Sequence, residues 1–209
     1  MQPFKDGTSD PVTTCSHCPT HELVFSQSRS AVGYTGTGRE LVLALKHGDK
    51  TNLAQSMGRW MAVAGFDLRD QADPLVIPVP LHWTRRLKRR GDQAAVLAQV
   101  IARHWETPLG IGILKRRHAT PMQAGLNADQ RWRNVENAFS MSRGAKKQVK
   151  NAAIILIDDV MTTGATLNAC ARTLIDNGAR RVDTLTFARS MAHPIDVDMT
   201  RMPPFRSVS

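Results

Sequence analysis

The sequence is poor in cysteine and has no long apolar run. Its 209 residues include three cysteines, an odd number, and no stretch is long and apolar enough to span a bilayer. Residues 1–11 lack the apolar core of a secretory signal. We therefore expect a cytoplasmic protein without a membrane span and without a disulfide framework.

Aromatic residues are also scarce, at 5% of the chain with a single tyrosine. This scarcity argues against a surface that stacks a row of nucleobases, because such platforms need aromatic side chains in a basic groove. Trp83, inside an arginine-rich stretch, is the best stacking candidate. The net charge of +10 nevertheless favours an anionic partner, either small or polymeric.

A zinc site is only half present. Cys15 and Cys18 form a CxxC pair with His17 and His21 close by, and no second CxxC follows. A structural zinc ion normally takes two pairs of ligands that are separated in the chain. We therefore expect a remnant of a zinc module, with little or no zinc bound.

The most informative stretch begins with Ile154–Ile157, four large apolar residues typical of a parallel strand buried on both faces. Asp158 and Asp159 follow, at the predicted carboxyl end of this strand. Next comes a loop of small and hydroxyl residues, and then an apolar stripe that predicts a helix ending near Gly178. A second strand predicted over residues 182–188 completes a strand–loop–helix–strand unit.

This unit has the features of a ribose 5-phosphate site. Loop amides and a helix N-terminus offer N–H donors to a phosphate, and Gly164 permits close approach of the backbone. The loop has no lysine, as a Walker motif would require, which disfavours nucleoside-triphosphate hydrolysis. The two carboxylates can accept hydrogen bonds from sugar hydroxyls. The alternative is a buried strand that ends in an ordinary acidic turn.

A second candidate segment follows a strand predicted over residues 75–80. This basic loop contains five cations in six positions, namely Arg85, Arg86, Lys88, Arg89 and Arg90. Arginine can bind phosphate oxygens in a bidentate manner, so the loop is either a pyrophosphate clamp or a solvated basic face. We leave both interpretations open.

A third candidate is the polar segment after a strand predicted over residues 109–114. It extends to residue 137 and is either an active-site lid or a surface loop without a role. Its candidate ligand-contacting residues are Arg116, Gln123 and Arg131. Asn127 and Gln130 favour a short helix within it that ends at Val135. Elsewhere the apolar spacing predicts helices over 40–46, 52–64 and 92–104, and a weak strand over 138–141.

Four separated stretches resemble the competence protein F (ComF) family of phosphoribosyltransferase-like proteins. They are Tyr34-x-Gly36 with Leu45-Lys46-His47-Gly48; Pro78-Val79-Pro80-Leu81-His82 with Arg89-Arg90-Gly91; the segment from Thr120-Pro121-Met122-Gln123-Ala124-Gly125-Leu126 to Ala138-Phe139; and residues 154–166. The last is similar to the phosphoribosyl pyrophosphate (PRPP) signature of type I phosphoribosyltransferases. The chain departs from the family pattern in two places. The family usually begins with a four-cysteine zinc module, of which this chain has only one CxxC pair, and Asp92-Gln93 stands where Phe-Asn-Gln is usual.

The resemblance implies an α/β fold in which helices flank a parallel sheet, preceded by the zinc-module remnant. It implies a PRPP site formed by Asp158, Asp159, Val160, Met161, Thr162, Thr163, Gly164, Ala165 and Thr166. Asp158 and Asp159 would hold the ribose hydroxyls as the catalytic acid pair, and residues 162–166 would wrap the 5-phosphate. Mg²⁺ would accompany PRPP, and a nucleophile would displace pyrophosphate at the anomeric carbon.

We divide the chain into a degenerate arm (1–30), a phosphoribosyltransferase-like domain (31–190) and a tail (191–209), which we expect to be loosely packed because it holds three prolines and little periodicity. Family members are linked to natural transformation, so single-stranded DNA and competence proteins are expected partners beside PRPP or a ribose 5-phosphate ligand. The first hypothesis is a PRPP-binding phosphoribosyltransferase-like protein linked to DNA uptake. The alternative is a non-catalytic module that binds single-stranded DNA or a partner protein and retains the PRPP fold.

Overall fold

The computed structural model describes residues 22–47, 51–70, 74–81, 92–117, 128–135 and 137–190. The strands are β1 (Ser28–Gly33), β2 (Leu75–Pro78), β3 (Leu114–Arg116), β4 (Phe139–Met141), β5 (Ala153–Met161) and β6 (Arg181–Arg189). Four of them form a parallel sheet in the order β1-β6-β5-β2, and β3 and β4 form a separate antiparallel pair. This architecture confirms the predicted α/β class.

Helices cover both faces of the parallel sheet. They are α1 (Gly36–His47), α2 (Thr51–Ala64), α3 (Phe66–Arg69), α4 (Gln93–Trp105), α5 (Ala128–Val135), α6 (Lys146–Val149) and α7 (Ala165–Asp176). Buried side chains of α1, α2 and α4 pack in one hydrophobic cluster with one face of the sheet. Those of α7, α5 and the β3–β4 pair pack in a second cluster on the opposite face.

The side chains of β5 supply both clusters, because successive residues of a strand point to opposite faces. Ile154 and Leu156 belong to the α7 side, and Ile155 and Ile157 belong to the side of α1, α2 and α4. All four are at most 1% exposed. Burial of each such side chain stabilises the fold by about 1.5–3 kcal/mol, so these four residues anchor β5 in the centre of the molecule.

Most of the predicted elements are confirmed near their expected bounds. The helix predicted over 92–104 is α4, which begins after Asp92; the side chain of Asp92 accepts a hydrogen bond from Ala95 N at 3.2 Å, as an N-cap does. The helix expected to end at Val135 is α5. Gly178 follows α7 with a φ of +95°, in the left-handed conformation expected there.

The strand predicted over residues 109–114 is wrong. Leu109 makes only a single parallel bridge to Val76, and the chain then turns through Gly112, whose φ of +75° leaves the extended region. The actual strand, β3, begins at Leu114. Lys146, Lys147 and Lys150, which precede β5, are exposed, and the first two lie in the short helix α6.

An N-terminal arm, residues 22–27, lies between α7 and β6. Val24 N donates to Asn168 Oδ1 at 2.6 Å, and Asn168 Nδ2 donates to Glu22 O at 3.2 Å. Phe25 is buried in the α7-side cluster. The arm leads directly into β1, which crosses residue 30, where the sequence predicted the division between arm and domain. The three-part division of the chain stays a prediction.

Candidate functional site

The carboxyl end of β5 projects beyond its neighbour β2. The last residue of β2, Pro78, is level with Ile157, and Val79 N donates to Ile157 O at 2.9 Å. On its other side β5 stays paired with β6 as far as Met161, which is level with Arg189. At its carboxyl end the strand therefore extends four residues beyond its apolar run, because β6 continues beside it. Asp158 and Asp159 lie in this projecting part.

The two carboxylates point to opposite faces of the strand. The side chain of Asp159 lies on the α1 side, where its Oδ2 accepts from Lys46 Nζ at 2.9 Å. Asp158 lies on the α7 side: burial raises the pKa of the Cys170 thiol of α7, and the nearby charge of Asp158 raises it further. Asp158 Oδ1 also accepts from the backbone N of Asp159 at 2.9 Å. A ligand lying over the strand end therefore meets one acid on each side.

The pKa of Asp158 is raised well above the usual aspartate value of 3.8. Partial burial is the largest cause, because it disfavours the charged form, and the neighbouring charge of Asp159 adds to it. Lys46 lowers the same pKa to a smaller extent. The two acids are therefore inequivalent: Asp159 has a cation beside it, whereas Asp158 ionises against burial and a like charge.

The loop after β5 is shaped by Gly164. This residue has a φ of +81°, the left-handed conformation that glycine adopts without strain, and it is the N-cap of α7. Thr163 Oγ1 accepts from Ala165 N at a long 3.4 Å. The first amides of a helix have no acceptor one turn before them, so they point toward the open end of the sheet. The start of α7 thus has the geometry that favours an anion, and the phosphate seat itself stays a prediction.

The rear of this loop rests on the N-terminal arm and on β5. A methyl group added at Gly164 would lie 3.0 Å from Met161 Cε and 3.9 Å from the ring of Phe25. Ser28 Oγ donates to Met161 Sδ at 3.4 Å. The arm is in turn attached to β6, since Gln27 N donates at 2.9 Å to Asp183, a carboxylate that is 1% exposed and paired with Arg181. The arm therefore supports the loop from beneath.

The basic loop lies outside the described residues, and so do Gln123, Cys15 and Cys18. The structure describes the chain as far as Leu81 on one side of the basic loop and from Asp92 on the other. Val79, two residues before the last residue described on that side, is hydrogen-bonded to β5, the strand that bears Asp158. The pyrophosphate clamp and the half zinc site stay predictions.

Arg116 of the predicted lid lies at the end of β3. Its guanidinium stacks over Phe139 of β4, with 5.3 Å from Cζ to the ring centroid. Because Phe139 belongs to the α7-side cluster, Arg116 lies on the α7 side of the sheet. Arg131 lies in α5, which packs along α7, and its side chain is outside the described set.

A groove of about 820 Å³ lies between α5, β4 and the outer side of α7. Three of its lining residues are exposed arginines on separate elements: Arg117, Arg133 and Arg172. Trp132 and the first residue of α7, Ala165, also line it. Arg117 and Arg133 belong to the segment that was predicted as a lid, whereas Arg172 had no predicted role. We call this feature the arginine groove.

Two residues near the acid pair had no predicted role. Lys46 lay within one of the four family-like stretches, and that placement was the available signal. Cys170 lies on the buried side of α7 and is 0% exposed. No group of three or more histidine, cysteine or acidic side chains suited to a metal ion occurs among the described residues. The same residues include no helix long and apolar enough to cross a membrane.

These features define a type I phosphoribosyltransferase-like fold with an acid pair and a glycine-capped helix start at the carboxyl edge of the sheet. The pattern of the family described as "Phosphoribosyl transferase domain" matches residues 92–206. Competence protein F of Haemophilus influenzae is 36% identical over 115 residues, which are 55% of this chain and 50% of that protein. DNA utilization protein YhgH of Escherichia coli O157:H7 is 31% identical over 186 residues, covering 86% of this chain and 72% of that protein. The protein belongs to the ComF family of phosphoribosyltransferase-like proteins.

Solved structures show a more distant likeness. Glutamine phosphoribosylpyrophosphate amidotransferase from B. subtilis, complexed with ADP and GMP, has 17% sequence identity and a TM-score of 0.44. The alignment covers 68% of this chain and 28% of that one. A likeness this distant supports no statement about the site.

Proposed function

We propose that the carboxyl edge of the sheet binds PRPP. The proposal rests on one observation: the acid pair and the amide-rich start of α7 lie on the two sides of the same loop. This loop follows the part of β5 that extends four residues beyond the end of β2. The 5-phosphate would occupy the loop at residues 162–166, and the ribose hydroxyls would donate to Asp158 and Asp159. The basic loop would bind the pyrophosphate.

Mg²⁺ fits this donor set. Magnesium in proteins is usually held by one or two carboxylates together with phosphate oxygens of the ligand, so the absence of a larger acidic cluster among the described residues agrees with such a site. Asp158 and Asp159 would hold the ion, directly or through water. The ion would neutralise charge on the departing pyrophosphate. The protein residues would position the anomeric carbon and shield it from water.

The proposed reaction is phosphoribosyl transfer in the cytoplasm. A nucleophile forms a bond to the anomeric carbon, the bond from that carbon to the pyrophosphate oxygen breaks, and pyrophosphate leaves with the electron pair. The proposal depends on the acid pair and assigns no residue as a general acid or base. The chemical class of the acceptor is left open.

Thermal melts with and without PRPP–Mg²⁺ test the binding proposal. Hydrogen bonds to a charged partner contribute roughly 1.5–3 kcal/mol each, so Asp158→Asn and Asp159→Asn should each weaken PRPP binding about ten- to a hundredfold. Both variants should fold, since the carboxylates lie at an open strand end. The proposal fails if the wild type gains no stability from the ligand, or if Asp159→Asn retains the full gain.

A second candidate function is handling of single-stranded DNA. Relatives are named Competence protein F and DNA utilization protein YhgH, and the net charge of this chain is +10. The arginine groove supplies a specific surface, because it combines three guanidiniums with the ring of Trp132. Stacking of a base on an aromatic ring together with phosphate contacts is the usual mode of single-strand binding. Competence proteins are the proposed partners in that process.

The salt dependence of DNA binding locates the surface. Each neutralised phosphate releases counterions, so removal of contacting cations flattens the slope of log affinity against log salt concentration. We expect the triple alanine variant of Arg117, Arg133 and Arg172 to flatten it. A second triple alanine variant, of Arg85, Arg86 and Arg89, shows whether the basic loop shares the contact. If neither slope changes, DNA binds elsewhere or not at all.

A further inference from the structure

Lys46 lies where α1 meets the projecting end of β5. Its Nζ is 2.9 Å from Asp159 Oδ2, and the two side chains are 21% and 17% exposed. The pair is therefore largely removed from water. An exposed ion pair contributes little to stability, whereas a lysine held this close to a site carboxylate affects what that carboxylate can bind.

The position of Lys46 is set by tight packing of α1 on the sheet. A methyl group at Gly38 would lie 2.3 Å from Gly33 O, so the start of α1 touches the backbone at the end of β1. Val42 and Leu45 on the same helix are buried in the cluster with β5 and β6. The backbone of Lys46 is thus fixed, while its four-carbon side chain remains free to change partner.

The ammonium cannot serve the proposed 5-phosphate seat from this position. The phosphate loop leads into α7, which covers the opposite face of the sheet from α1. Lys46 and Asp159 are on one side of β5, and the start of α7 is on the other. A phosphate that reaches Lys46 must therefore be the group at the other end of the ribose.

We propose that Lys46 is a pyrophosphate-binding residue. In the free protein its ammonium pairs with Asp159; when ribose hydroxyls donate to Asp159 instead, the ammonium binds a pyrophosphate oxygen. This inference rests on the proposed function. The polyanionic ligand is repelled by the two acids, which disfavours binding. The attraction between the released Lys46 and the ligand offsets part of this unfavourable free energy. A lysine binds phosphate as a compact point charge and needs no fixed orientation, which suits an exchange of partners.

Titration of the full chain with PRPP–Mg²⁺ and with ribose 5-phosphate tests the inference. Lys46→Met keeps most of the side-chain length and removes the charge. We expect about ten- to a hundredfold weaker binding of PRPP and at most about a twofold change for ribose 5-phosphate, which lacks the pyrophosphate. Where ribose 5-phosphate binds too weakly for direct titration, its competition with PRPP yields the same constant.

Two further variants complete the experiment. Lys46→Arg keeps the charge and should retain most of the PRPP affinity. Lys147→Met removes one charge from an exposed position in α6 and should leave both affinities unchanged. Melting curves without ligand confirm that each variant is folded, and Lys46→Arg carries the comparison should Lys46→Met not fold.

Each adverse result has a distinct meaning. Equal losses for both ligands would show that Lys46 only positions Asp159, and unchanged PRPP binding would show that it does not contact the ligand; either overturns the inference. It is also overturned if Lys46→Arg behaves as Lys46→Met, or if Lys147→Met loses as much affinity. Failure of the wild type to bind PRPP at all overturns the proposed function together with this inference.

Discussion

Gly164→Ala should weaken phosphate binding at a small and calculable cost in stability. Gly164 has a φ of +81°, and a residue with a Cβ loses about 1–2 kcal/mol in that left-handed conformation. The new methyl group would lie 3.0 Å from Met161 Cε, the mobile end of a side chain that can shift. We therefore expect a loss of about 1–2 kcal/mol, or about 2–8 °C in Tm for a chain of this size.

Gly178→Ala is a matched control. Gly178 has a φ of +95°, and the atoms nearest to an added methyl group are 3.9 Å away, so the backbone cost is similar. It follows the C-terminal end of α7, a helix of 12 residues, and is therefore about 18 Å from the phosphate loop. Both variants should lose similar stability, but only Gly164→Ala should disturb the loop amides.

Melting curves with and without ribose 5-phosphate separate the two effects. At a ligand concentration one hundred times Kd, the wild type and Gly178→Ala should each gain about 2.7 kcal/mol. A tenfold weaker affinity reduces that gain to about 1.4 kcal/mol, which we expect for Gly164→Ala. Equal gains in the two variants would refute the seat assigned to the phosphate. An unchanged Tm of Gly164→Ala without ligand would refute the strain argument.

Three further predictions concern charged groups. Because the folded-state pKa of Asp158 is raised above 3.8, the protonated carboxyl contributes stability that is complete below about pH 4 and is lost as pH rises through the raised value. Melts across pH should show this loss in the wild type but not in Asp158→Asn, and an identical profile in the variant would contradict the prediction. Asp183→Asn leaves Arg181 without its buried partner and should cost about 3 kcal/mol in urea unfolding while PRPP binding persists, and a loss below about 1 kcal/mol would contradict the assigned role. Alanine at Arg85, Arg86 and Arg89 should weaken PRPP binding, and unchanged affinity would favour the solvated basic face.

The fold follows largely from local patterns in the sequence. The apolar run Ile154–Ile157 predicted a strand buried on both faces, and all four side chains are at most 1% exposed. The apolar stripe and the glycine after it predicted a helix ending near Gly178, and α7 ends at Asp176. Such features are predictable because they depend on the spacing of apolar residues and on the backbone freedom of glycine, both visible in a single segment.

Errors occurred where pairing with a distant segment decides the outcome. β5 continues through Asp158 and Asp159 because β6 lies beside it, and no local property of two acids indicates a strand. Leu109 forms one bridge to Val76 and no longer strand, because Gly110 fits against Ile77 and Ile113 and the chain then turns. Strand ends are decided by hydrogen-bond partners that are far away in sequence.

The sequence by itself determined the class of fold and the position of the acid pair and phosphate loop, because one contiguous unit contains them. Only the tertiary structure decided which groups surround them. Lys46, which is 113 residues before Asp159, becomes its ion partner because packing of α1 on the sheet brings the two together. The arginine groove likewise forms from three separate elements. Contacts between remote segments depend on the order of strands and the faces that helices cover, and neither is expressed in local spacing.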